Sequence, residues 1–269
     1  MGYVAVKGGS EAIGNACRLF ARERSKGGSS PLKIDQVREQ LYLAVDRVMG
    51  EGSLYAPDLA ALAIKQSAGD TFEASFLLRA HRATQPRLAR TLPVDPGKMR
   101  AIRRISSAFK DIPGGQLLGP TSDYTLRLLD FSLLEDDDAR RDAFRERVFD
   151  AALPGIEVPE TFPKVIDILR REGLLEPIED AGEACLPVGK PQPFDVTRQS
   201  LTFPAPRSAV LQSLARGETG GMLLLAYSSM RGYGNIHPTL GELRVGYLPV
   251  EIAHPVTGEP FEVGEVKVT

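Results

Sequence analysis

Hydrophobic positions in the first third of the chain recur at helical spacing, and those in the last third recur at strand spacing. Tyr3-Val4-Ala5-Val6 reads as a short strand, broken by Gly8-Gly9. Ser10 then caps an expected helix to about Arg24, with Ile13, Ala16, Cys17 and Phe20 on one side. After the flexible stretch Lys26–Pro31, three more helices are expected. The first is capped by Asp35, carries Val37, Leu41, Ala44, Val45 and Val48, and ends at Gly50. The second opens at Pro57 with Leu59, Leu62 and Ala63 inward and ends at Gly69. The third starts at Asp70 with Glu73 completing a capping box, carries Phe76, Leu77, Leu78 and Ala80, and stops before Pro86.

The pattern changes after Pro113-Gly-Gly. Glu135–Asp138 caps a charged helix from Ala139 to Ala152, and a short helix runs from Phe162 to Glu172, ending at Gly173. Proline and glycine thicken between Pro177 and Pro206, as a loop-rich connection or a partner-covered surface would require. Met222–Tyr227 is apolar on both faces and reads as a central strand. Leu243, Val245 and Tyr247 alternate as a half-buried strand does, and Phe261, Val263, Val266 and Val268 suggest another. The expected class is α+β: a helical N-terminal half packed beside a mixed, mostly antiparallel sheet. The expected division is residues 1–112, mainly helical with a short leading strand, and 113–269, mixed with the C-terminal sheet.

An apolar fraction of 42% and a charged fraction of 25% fit a soluble globular protein of one large or two ordinary domains. The formal net charge of −2 disfavours nucleic-acid or membrane binding through bulk charge. Cys17 and Cys185 match no metal or redox spacing and suit a reducing cytoplasm. No targeting signal is read at the N-terminus, and the longest apolar run is too short to span a bilayer.

Chemistry concentrates in RGYGNIHPTLGELRVGYL, Arg231 to Leu248. His237 is either a turn histidine bonded to backbone or an acid/base group, and Glu242 and Arg244 follow it closely. His81 reads as a polar edge residue, and His254 as part of a loop. Lys7-Gly8-Gly9-Ser10 is a tight turn before a helix, or a cradle for an anion. Asp123 and Arg127 make an ordinary surface pair if helical, or face a sugar phosphate if the preceding glycine-rich segment binds one. The three histidines share no zinc spacing, and no metal site is expected from the residues. Glu135–Asp138 reads as a solvated helix start rather than a magnesium site.

Four collinear segments carry a resemblance. They are Tyr3–Gly9; Ser53–Asp70 with EASFLLRAHRATQPR (Glu73–Arg87); Pro113–Tyr124 with Arg127–Asp130; and Leu214–Gly217 with Ala226–Ser228 running into RGYGNIHPTLGELRVG. Together they resemble the PhnI family, the I subunit of carbon–phosphorus lyase in phosphonate metabolism. The resemblance implies a cytoplasmic bacterial complex with the G, H and J subunits and an ATP-binding-cassette-type L subunit. It implies that the purine of MgATP is displaced at ribose C1′ by a phosphonate, giving a ribose 1-phosphonate 5-triphosphate, with nucleosidase activity for the isolated subunit. Family members extend further at the C-terminus and carry metal-binding histidines there, so this shortened chain is expected to lack that metal site.

Such a displacement needs an acid near the departing purine, negative charge near C1′, and cations around the phosphates. By chemical type, His237 is the candidate acid and Glu242 or Asp123 the candidate carboxylate. Lys7, Gly8, Gly9, Arg127, Arg231, Tyr233 and Arg244 are candidate substrate contacts, with magnesium arriving on ATP. The alternatives are a non-catalytic scaffold subunit of the same complex, or an unrelated sugar-phosphate-binding domain.

Overall fold

The computed structural model describes residues 7–106, 128–148, 162–176, 193–215, 219–230 and 241–269. The expected strand at Tyr3–Val6 lies outside them.

Helix α1 (Gly9–Ser25) forms where expected, but Gly8 takes the N-cap position at φ 75°, so Ser10 lies inside the first turn and does not cap. Its apolar residues Ile13, Leu19 and Phe20 are exposed, and the helix buries no residue.

The helical layer comprises α2 (Ile34–Gln40), α3 (Tyr42–Gly52), α4 (Pro57–Gln66) and α5 (Thr71–Thr84). One helix was expected over α2 and α3. The chain instead kinks at Leu41 (φ −106°, ψ 34°), which turns Leu41 out to solvent and lets Val37 and Val45 both reach the core. Lys33, not Asp35, is the N-cap, and the Gln36 side chain accepts from its backbone N–H at 2.8 Å. Pro57 opens α4 and Ala63 faces inward as expected, but its companions there are Ala60, Ala61 and Ile64, while Leu59 and Leu62 are exposed. Small side chains let neighbouring helices approach closely, so the alanine face wins over the leucine face. Asp70 caps α5 by accepting from Phe72 N–H and Glu73 N–H; the reciprocal Glu73 bond does not form, because Asp70 N–H donates to the Ser67 carbonyl. Val37, Val48, Ile64, Ala74 and Leu78 form the centre of this core.

Among the described residues one sheet is present: β1 (Arg100–Ser106), β2 (Glu242–Ala253) and β3 (Pro260–Val268), antiparallel in the order β1-β2-β3. The alternation of Leu243, Val245 and Tyr247 lies on β2, and Phe261–Val268 on β3, as expected. Strand β1 escapes a reading by periodicity because four of the seven residues of RAIRRIS are arginine or serine. The β2–β3 turn is fastened by His254, whose Nδ1 accepts from Val256 N–H and Thr257 N–H at 3.2 Å each.

The expected central strand at Met222–Tyr227 is a helix. Helix α9 (Thr219–Leu225) passes into a π-type turn, Ala226–Met230. Ala226 packs with Ile105 and Val245, so this helical segment covers the sheet rather than joining it. A short apolar run carries no period that separates strand from helix.

Helices α6 (Asp138–Val148), α7 (Val165–Arg171) and α8 (Arg207–Leu214) complete the described helices. Asp137 accepts from Arg140 N–H at 2.8 Å at the start of α6, so the acidic run does cap a helix. Helical layer and sheet are joined by a buried ion pair between Asp46 of α3 and Lys267 of β3. Among the described residues, no helix is long and apolar enough to cross a membrane.

Candidate functional site

Glu242 and Arg244 sit two residues apart at the start of β2 and therefore share a face of the sheet. Arg244 Nε donates to Glu242 Oε1 at 2.8 Å. Arg104, directly opposite Arg244 on β1, brings its Nε within 3.6 Å of the same oxygen. Glu242 Oε2 accepts from the backbone N–H of Val165, the first residue of α7, at 2.8 Å. Arg244 Nη2 donates to the carbonyls of Phe162 (2.5 Å) and Pro163 (3.1 Å), and Arg104 Nη1 donates to Pro163 (3.2 Å).

The pair is shielded: the Arg244 and Glu242 side chains are 9% and 10% exposed. Both carboxylate oxygens are engaged, and two guanidiniums around one carboxylate leave the cluster with a net positive charge. It fixes the start of α7 against the sheet. A cavity of about 380 Å³ adjoins it, walled by Met99, Val165, Leu169, Leu243 and the polar groups of Lys164, Glu242 and Arg244.

The other expected site residues do not join it in the described residues. His237, Asp123, Arg127, Arg231 and Tyr233 lie outside those residues. Lys7 and Gly8 precede α1 and Gly9 is its first residue, and all three are exposed. A Cβ at Gly8 or Gly9 would meet nothing within 4 Å. Among the described residues, no group of three or more histidine, cysteine or acidic side chains gathers for a metal.

A second basic cluster has no counterpart in the sequence reading. Arg79 and Arg82 project from α5 three residues apart. Arg79 Nη2 donates to the Glu51 carbonyl at 2.7 Å, and Arg82 Nη1 to the Gly52 carbonyl at 3.0 Å. Arg82 Nη2 also reaches the Thr197 carbonyl at 3.4 Å, and Arg198 Nη2 the Gln85 carbonyl at 3.3 Å. Burial, then the neighbouring charges of Arg79 and Arg198, push the Arg82 guanidinium below its ordinary pKa. Nearby, Arg87 grips Asp195 through two hydrogen bonds, at 2.5 and 3.2 Å. The only local signal for this cluster was the Arg79/Arg82 spacing; segment 195–198 arrives from more than a hundred residues away. His81, between the two arginines, is exposed, as expected of an edge residue.

A family model described as bacterial phosphonate metabolism protein (PhnI) matches residues 2–269. The chain belongs to the PhnI family. A putative C-P lyase subunit protein, HtxH of Stutzerimonas stutzeri, is 52% identical over 271 residues, covering 100% of this chain and 70% of that relative. The PhnI subunit of alpha-D-ribose 1-methylphosphonate 5-triphosphate synthase from Rhizobium meliloti is 48% identical, across 99% of this chain and 68% of its own length. The corresponding subunit from Escherichia coli is 45% identical, across 99% and 71%. The four segments that carried the resemblance thus belong to a match along virtually the whole chain.

Proposed function

We propose that this PhnI-family chain is a subunit of a carbon–phosphorus lyase system in phosphonate catabolism. It displaces the purine of MgATP at ribose C1′ with an alkylphosphonate, giving a ribose 1-phosphonate 5-triphosphate, and alone it hydrolyses the same bond. The observation that carries this reading is 45–48% identity over 99% of the chain to two proteins named as subunits of a ribose 1-methylphosphonate 5-triphosphate synthase.

The reaction breaks the C1′–N bond and forms a C1′–O bond through an oxocarbenium-like state. A proton must reach the departing purine, and His237 is assigned that role by its chemistry. Asp123 is the carboxylate left to balance charge at C1′, since Glu242 is spent on Arg244, Arg104 and Val165. Magnesium arrives with the nucleotide as part of the substrate. The G, H and J subunits and the L subunit are the proposed partners, in the cytoplasm.

The test is adenine release from MgATP by the purified chain, alone and with methylphosphonate and the partner subunits. Adenine release in either condition is expected; its absence in both, with partners still copurifying, sinks the catalytic reading. A scaffold role has one observation of its own, the exposed Ile13, Leu19 and Phe20 of α1.

A further inference from the structure

The arginines of α5 and of segment 195–201 surround open space rather than each other's acids. A cavity of about 390 Å³ is lined by Arg79, Arg82 and Arg198 together with Thr197, Gln199 and Gln212. That volume falls within the roughly 300–1,000 Å³ typical of small-molecule pockets. Each of the three guanidiniums is anchored to neutral backbone carbonyls. None has an ion-pair partner among the described residues. The cavity's single lining carboxylate, Glu51, leaves an excess of positive charge.

A second cavity, of about 480 Å³, shares Arg198 and Gln199 with the first and adds Arg87 and Arg90. The carboxylate there, Asp195, is already held by Arg87 and by the Thr197 hydroxyl. Guanidiniums fixed at one end by carbonyls, with N–H groups left over and hydroxyls and amides beside them, match the geometry of tetrahedral oxyanions. Gathering three like charges beside a single carboxylate lowers stability unless an anion joins them.

We propose that Arg79, Arg82 and Arg198 form a binding site for the phosphoryl or phosphonyl oxygens of a small ligand, with Arg90 extending it toward a longer polyphosphate. The site deepens the reading above by naming where phosphate groups dock, and rests on it for the ligand's identity though not for oxyanion binding itself.

Calorimetric titration of the full chain with inorganic triphosphate, and separately with methylphosphonate, tests this. Arg82 is left intact because it also fastens residues 52–53 to Thr197. Arg79→Gln and Arg198→Gln should each weaken binding by at least about ten-fold, the loss of one charge-assisted contact. Arg141→Gln, an exposed α6 side chain already paired with Asp138 and Asp142, should not change it. Tighter binding of triphosphate assigns the nucleotide end of the reaction, and tighter binding of methylphosphonate assigns the other; both support the site.

No binding of either probe overturns the proposal. So does wild-type affinity in an Arg79→Gln/Arg198→Gln double variant with an unchanged circular dichroism spectrum, or an equal loss in Arg141→Gln. Adenine release with neither probe bound would sink the site alone, and binding of either probe without adenine release would sink the catalytic reading alone.

Discussion

Glu242 was singled out for its proximity to a histidine in the sequence, and its surroundings give it other work. Its two oxygens hold Arg244 and the first N–H of α7. Glu242→Gln keeps an acceptor for Val165 but leaves the shielded Arg244 charge uncompensated. A loss of about 3 kcal/mol is expected in urea denaturation, the cost typical of breaking a buried pair. A variant as stable as wild type but defective in adenine release would return Glu242 to the chemistry. His237→Ala should instead lower adenine release by about 10²-fold or more with stability unchanged; unaltered turnover would remove it from the mechanism. At Asp195, hydrogen bonds from Arg87 and then Thr197 hold the carboxyl well below the usual carboxylate range. A carboxyl depressed on folding contributes stability that is complete above its unfolded pKa of about 3.9 and is lost as pH falls through the folded value. The melting-temperature margin of wild type over Asp195→Asn should therefore be full at neutral pH and shrink below about pH 4. A margin constant into strong acid would contradict that pairing. At this scale the sequence revealed residue types and short spacings only. Glu242 and Arg244 were found because they are two apart, whereas Arg104, Val165 and the Arg198 contact to Gln85 come from distant segments and leave no local trace.

Helix starts were legible where a side chain or ring dictates backbone geometry, as at Asp70, Asp137 and Pro57. They were misplaced where glycine or backbone geometry does the capping, as at Gly8 and Lys33. Facing was harder to read: Leu59 and Leu62 lost the inward side of α4 to alanines, and Met222–Tyr227 became helix because a run apolar on all sides suits either element. Strand β1 was invisible for the opposite reason, its arginines being recruited by Glu242, Glu265 and carbonyls rather than by an apolar face. Between β1 and β2 the register shifts at Ala101/Arg103, and Gly246 stands opposite Ala101. A Cβ at Gly246 would collide with the backbone of Arg100 and Ala101. Backbone cannot swing aside as a side chain can, so Gly246→Ala should part the two strands and cost about 1–3 kcal/mol. Hydrogen exchange at Ala101 and Arg103 should quicken in that variant; protection equal to wild type would show that the strands tolerate the methyl group.

For the molecule as a whole, the class came through because helical and strand periods occupy different parts of the chain. What joins them did not, since Asp46 and Lys267 are separated by 221 positions. Asp46→Asn should cost about 3 kcal/mol by leaving a lysine that is 6% exposed short of its carboxylate. Asp46→Leu combined with Lys267→Met should recover most of that loss, because a shielded ion pair exchanged for apolar contact is often neutral. A double variant no better than the single one would make the charges indispensable. The same link sets an order of events on the ribosome. Helices α2 to α5 can bury their shared core as soon as they emerge, yet Asp46 must stay hydrated until the lysine of β3 has been translated. Nascent chains halted before residue 267 should thus present an assembled helical lobe whose acidic flank is still open to water.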